Sequence, residues 1–147
     1  MRVLIDASVL IRALLLSPNP ARAVDVIIGA ALDGTFGLLL PPDLLTEVAD
    51  KIIHDPYLAT RIDSTTAAAF EATLRGAGLL VPPLHAPPPR VVRDPKDDYL
   101  IAYALRDRAE FLVTGDRDLL DLAPGIAAPR IVDPGAFVRH PRERGLL

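Results

Sequence analysis

The chain has 147 residues, half of them apolar, which suits one domain over residues 1–147 burying roughly two thirds of its unfolded surface. Its net charge of −3 withholds the global basic excess usual in nucleic-acid binders, and the lack of cysteine excludes a disulfide framework and a thiolate metal site. No apolar run reaches the ~18 to 20 residues of a membrane span, and Asp6 interrupts the first one too early for a signal-peptide core, so a soluble cytoplasmic protein is expected.

Val3 to Ile5 is a β-branched and leucine run ending in Asp6, which predicts a buried first strand. Ser8 opens a helix to about Leu16, stopped by Ser17-Pro18-Asn19-Pro20, and a second helix covers about Ala21 to Leu32, where Val24, Ile27, Ile28 and Ala31 recur at helical spacing. Asp33-Gly34 turns the chain into a second strand, Phe36 to Leu40. Pro41-Pro42-Asp43 starts a helix carrying Leu44, Leu45, Val48 and Ile52 on its apolar face, with Glu47 one turn inside.

After His54-Asp55-Pro56, helical stretches are expected near Tyr57 to Ile62 and Ser64 to Leu74, terminated by Gly76 and Gly78. Leu79 to Val81 is a third strand, and residues 82–89, PPLHAPPP, form an extended connector within the domain. A helix from about Lys96 to Arg108 bears the stripe Leu100, Ile101, Ala104 and Leu105. Phe111 to Thr114 is a fourth strand, Leu119 to Leu122 a helical turn, and Ile131-Val132 a fifth, edge strand. Strands alternating with helices predict an α/β fold, a three-layer α/β/α sandwich around a central parallel sheet of about five strands.

In such a sheet all strands end on one edge, where the following helices begin. Asp6, Glu47, the pair Asp97 and Asp98, and Asp116 therefore converge there. Two carboxylates ~4 Å apart repel by roughly 4 kcal/mol at an effective dielectric near 20, so the cluster calls for a hard divalent cation, Mg²⁺ or Mn²⁺. Such an ion activates water toward phosphorus, which points to phosphodiester hydrolysis. The acids are expected to titrate as a coupled set with at least one raised pKa.

Each acid also has an ordinary role. Asp6 and Ser8 suit helix caps, Glu47 a solvated helix face, Asp97 and Asp98 the helix dipole, and Asp116 and Asp118 a turn. It is their convergence that favours a site. Helix geometry leaves Asp97 and Asp98 equivalent, since both flank the Ile101 stripe.

At these residues the chain resembles the PIN-domain proteins, metal-dependent ribonucleases that include the VapC-like toxins of bacterial toxin–antitoxin modules. The resemblance spans nearly the whole chain. It is carried by Asp6-Ala7-Ser8 after the first strand, Glu47 after the second, Asp98-Tyr99-Leu100-Ile101-Ala102, and Val113-Thr114-Gly115-Asp116-Arg117-Asp118. The segment Arg93-Asp94-Pro95-Lys96-Asp97-Asp98 together with TGDRDLL is similar to a branch described as toxin components.

The resemblance implies that Asp6, Glu47, Asp98 and Asp116 are the catalytic, metal-coordinating acids, its pattern selecting Asp98 by an acid three residues before Ile101. It makes Ser8, Thr114 and Asp118 supporting groups, with Asp94 and Asp97 as outer candidates. It further implies RNA as substrate, a homodimer, and an antitoxin protein that wraps the enzyme and plugs its site. The alternative is a non-catalytic binding or regulatory module of the same fold. A phosphatase with a first-strand aspartate nucleophile is disfavoured, because Ser8 stands where its acidic partner is needed.

Arg90, Arg93, Lys96 and Arg117 adjoin the acidic motifs and are candidates to hold RNA phosphates or to neutralise the acids. Arg139, His140, Arg142 and Arg144 form a basic tail of the same ambiguity. His54, His85 and His140 are too scattered for a metal-ligand spacing. Leu10, Leu14, Leu15 and Leu16 with Val24, Ile27 and Ile28 offer apolar surface for the core or for a dimer or antitoxin groove.

Overall fold

A strand covered on both faces must be apolar at every position, and Val3, Leu4 and Ile5 of β1 (Arg2–Ile5) are all fully buried. The computed structural model describes residues 1–89 and 97–139. β1 is the middle of a five-stranded sheet in the order β3-β2-β1-β4-β5, with β2 (Gly37–Leu40), β3 (Leu79–Leu80), β4 (Phe111–Val113) and β5 (Arg130–Val132), and every neighbouring pair is parallel. Val3 lies opposite Leu38 on one side and Phe111 on the other, and Ile5 opposite Val113. The helices are α1 (Ala7–Leu15), α2 (Ala23–Leu32), α3 (Pro42–His54), α4 (Pro56–Arg61), α5 (Ser64–Ala77), α6 (Asp98–Arg106), α7 (Arg117–Leu120) and α8 (Pro134–Val138). With the sheet they make the expected three-layer α/β/α sandwich.

Local chemistry sets the boundaries. Asp55 accepts the Tyr57 and Leu58 N–H groups and Pro56 occupies the first turn, so α3 stops and α4 starts at one residue. Asp63 caps α5 in the same way through Thr66 N–H at 2.7 Å, and that bond holds its carboxyl below the usual value. α5 runs past Leu74 and through Gly76, three residues beyond expectation, and ends at Gly78. There a Cβ would come within 2.8 Å of Leu40 Cγ, so only glycine lets the helix end approach β2.

α6 ends at Arg106 rather than Arg108, because Arg108 takes a left-handed conformation (φ 57°) and Ala109 N–H bonds back to Ala104 C=O at 2.8 Å. The expected start of this helix at Lys96 falls outside the described residues, as do Arg90, Arg93, Asp94, His140, Arg142 and Arg144. α8 was not expected from its short sequence. Asp133 caps it through Ala136 N–H, and Phe137 stands edge-on to Phe36 and Phe111 with ring centres 5.8 and 5.2 Å apart.

The apolar residues of the first two helices serve the core. Leu10, Val24, Ile27 and Ile28 are buried and Leu14, Leu15 and Leu16 half-buried, since α1 packs on α2 and α3, and α2 on α5 and α8. Among the described residues no helix is long and apolar enough to cross a membrane. Leu4→Ala should lower unfolding free energy by about 2–5 kcal/mol, while Leu105→Ala, at a side chain 57% exposed, should change it by less than about 0.5 kcal/mol. Urea unfolding of the two variants checks both.

Candidate active site

The sheet's carboxyl edge begins where the strand ladders run out. Asp6 N–H bonds to Val113 C=O at 2.9 Å and Thr114 N–H to Val132 C=O at 3.0 Å, so both residues are held as extensions of the sheet. Thr114, fully buried, donates its hydroxyl to Asp6 Oδ2 at 2.7 Å and accepts Asp116 N–H at 3.0 Å. Asp116 in turn caps α7 by accepting Asp118 N–H at 2.9 Å. Ser8 Oγ also donates to Asp6 Oδ2, at 3.3 Å. Both side-chain hydrogen bonds reaching Asp6 from the described residues end on Oδ2, and none of them on Oδ1.

Asp6 is only 3% exposed. That burial raises its pKa above 3.8, against the lowering bond from Thr114, and the nearby Glu47 charge raises it further. At least one raised carboxyl was expected from charge crowding, but burial leads here. Glu47 sits on α3 between two donors: Tyr99 of α6 donates to Oε1 at 2.5 Å, and Lys51, one turn on, places Nζ 2.9 Å from Oε2. Burial followed by the Glu47 bond drives the Tyr99 phenol far above its ordinary range, so it remains a neutral donor. Burial works against the Lys51 ammonium, but Glu47, Asp6 and Asp97 outweigh it and raise its pKa.

Two adjoining clefts of about 410 and 870 Å³ open on this edge and share Lys51, Asp97 and Asp116. The first is also lined by Asp6, Ser8 and Arg12, the second by Glu47 and Tyr99. Asp97, 8% exposed, lines both, whereas Asp98, 2% exposed, lines neither. The exposed Arg117 lines neither cleft, nor do His54 and His85.

Lys51, Tyr99 and Arg12 were not singled out from sequence. Helical spacing held the signal for two of them: Lys51 is four residues past Glu47, and Arg12 four past Ser8. Tyr99 reaches Glu47 across 52 positions in sequence, a contact with no local trace.

The lining carboxylates and hydroxyls are hard oxygen donors, and Asp6 Oδ1 takes no side-chain hydrogen bond among the described residues, so the donor chemistry fits a hard divalent cation. As the side chains stand, no three acidic or histidine groups among the described residues are gathered closely enough to hold an ion. Glu47 in particular is turned toward Lys51 and Tyr99.

Thr114→Val removes the donor to Asp6 and the acceptor of Asp116 N–H, and should cost about 1–3 kcal/mol in denaturant unfolding. A second expectation concerns pH in chelator-treated protein. Because native Asp6 keeps its proton to higher pH than the unfolded chain, its ionisation removes stability as pH rises from 3.8 through the native value. Asp6→Asn should therefore gain stability over the wild type across that window and lose the gain below it. A difference independent of pH would contradict the assigned burial of this charge.

The PIN domain sequence profile matches residues 2–118, a span that contains Asp6, Glu47, Asp97, Asp98 and Asp116. A comparison with curated proteins returned no match. PIN domains are generally nucleases, which implies a nucleic-acid substrate. The match covers most of the chain, and the protein belongs to the PIN domain family.

Proposed function

We propose that this protein is a cytoplasmic metal-dependent endoribonuclease, using Mg²⁺ or Mn²⁺, and the toxin of a toxin–antitoxin pair. The observation that carries the reading is the cleft at the carboxyl ends of β1 and β4 that Asp6, Asp97 and Asp116 line. A bound hard cation there would supply Lewis acidity toward phosphate oxygens and acidify a water. Asp6, Asp97 and Asp116 would hold it, with Glu47 beside them and Ser8 and Thr114 orienting Asp6. Arg12 and Lys51 supply the positive charge on the cleft walls that an anionic backbone needs. The choice of RNA, the homodimer and an antitoxin partner rest on the motif resemblance.

Purified protein should cleave RNA with Mg²⁺ or Mn²⁺ and lose that activity on chelation. Asp6→Asn and Asp97→Asn should each lower cleavage by about 100-fold or more, the scale of losing a group that stabilises transition-state charge. Asp98→Asn should do less, because Asp98 lies outside both clefts. The reverse ranking would restore Asp98 as the ligand, as the family pattern selects. In the toxin role, expression should arrest growth and Asp6→Asn should relieve the arrest.

A second reading has one observation in its favour: both oxygens of Glu47 are engaged by Tyr99 and Lys51. In that reading the fold binds nucleic acid without cutting it. RNA binding with no cleavage in either metal would decide for it.

A further inference from the structure

Pro82 and Pro83 have no N–H with which to extend β3, and among the described residues the last backbone bond there is Val81 N–H to Leu40 C=O at 3.4 Å. Two side chains of α6 hold the chain that follows. Arg106 donates to the carbonyls of Pro82 and Pro83 at 2.6 and 3.1 Å, and the Tyr103 hydroxyl accepts Leu84 N–H at 3.2 Å. The same hydroxyl donates to Asp43 Oδ1, in the first turn of α3, at 2.7 Å. Asp43 and Pro83 both line the second cleft, so a single phenol on a fully buried ring joins its α3 wall to its connector wall.

The second cleft shares Lys51, Asp97 and Asp116 with the first, so a strand whose phosphate meets the acidic edge has space beside it for the adjoining nucleotide. Its volume of about 870 Å³ is that of a small-molecule pocket. The lining includes the rings of Pro42 and Pro83 and the oxygens of Asp43, Thr46 and Asp50, which suit the face and the N–H edge of a base. A base presents both only when it is unpaired.

We propose that Tyr103 and Arg106 are positioning residues that set the width of the second cleft, and that this cleft receives an unpaired RNA base next to the phosphate at the acidic edge. The proposal deepens the nuclease reading and rests on it. Neither side chain takes part in the chemistry; each acts through the connector.

The test places Tyr103→Phe and Arg106→Gln in the full chain and measures binding of single-stranded RNA of about ten nucleotides, and of a duplex of the same sequence, by fluorescence anisotropy in an Asp6→Asn background that does not cleave. Each substitution should weaken single-strand binding about 3- to 10-fold, the scale of a lost hydrogen bond, and leave duplex binding unchanged. In the cleaving protein KM for the single strand should rise by the same factor, with kcat within about twofold of the wild type. Exchange of the Leu84 amide hydrogen should be faster in Tyr103→Phe. Urea curves check that the variants are folded, and Arg106→Gln, at an exposed residue, keeps the test open if Tyr103→Phe is not. Unchanged single-strand binding, an equal loss for the duplex, a fall in kcat with KM unaltered, or unchanged Leu84 exchange would each overturn the inference while cleavage by the wild type upholds the nuclease reading. Wild-type protein that neither binds nor cleaves RNA would remove that reading, and the inference with it.

Discussion

The buried hydroxyl of Thr114 donates to Asp6 Oδ2 and accepts Asp116 N–H, and so ties the end of β1 to the turn that follows β4. A single side chain with one donor and spare lone pairs can do this only because the two strands are neighbours in parallel register, Ile5 opposite Val113. Among the described residues, the side-chain hydrogen bonds to Asp6 from Thr114 and Ser8 both end on Oδ2. The Thr114 hydroxyl also sets the path of the Gly115-Asp116 turn, from which Asp116 caps α7. The acidic edge is thus built on backbone ladder and hydroxyl chemistry before any ligand is considered.

Around that joint the fold manages an unfavourable concentration of charge. Asp6 is buried and its ionisation is opposed by burial and by Glu47. Glu47 is balanced by Lys51 from its own helix and by Tyr99 from α6, so α3 and α6 are linked across the site. A parallel arrangement secures the outer wall. Tyr103, one helical turn past Tyr99, donates to Asp43 at 2.7 Å and accepts Leu84 N–H at 3.2 Å; burial and Asp43 push its phenol up to about 12. Arg106 bonds the carbonyls of Pro82 and Pro83 at 2.6 and 3.1 Å, so the proline-rich connector is held against α6. Two tyrosines on one face of α6 therefore fix both the acidic helix α3 and the connector beside the second cleft.

An apolar groove of about 400 Å³ between α3, α4 and α5 lies apart from these clefts, lined by Val48, Ile52, Phe70 and Leu74 among others. The surplus of apolar side chains that the sequence suggests for the first two helices is absorbed by the core, and the accessible apolar surface is found on these later helices instead. The reason is tertiary. α1 and α2 pack on each other and also on α3, α5 and α8, and each buries four residues, while α5 has only Leu74 fully withdrawn from solvent.

Periodicity and turn chemistry were enough to order the strands and all the helices but α8 along the chain. The continuous apolar runs of β1, β2 and β4 could only be buried in a parallel sheet with helices on both faces, and that topology by itself brought Asp6, Glu47, the Asp97-Asp98 pair and Asp116 toward one edge. Sequence alone left two things open. Asp97 and Asp98 are equivalent by spacing, and in the folded chain both are buried while Asp97 alone of the two lines the clefts. The hydrogen bonds of Glu47 to Tyr99 and of Asp6 to Thr114 join residues 52 and 108 positions apart, and no local pattern encodes such contacts. Secondary structure and the convergence of charge follow from short-range periodicity. Which oxygen faces which partner follows from side-chain contacts that exist only once the sheet has closed.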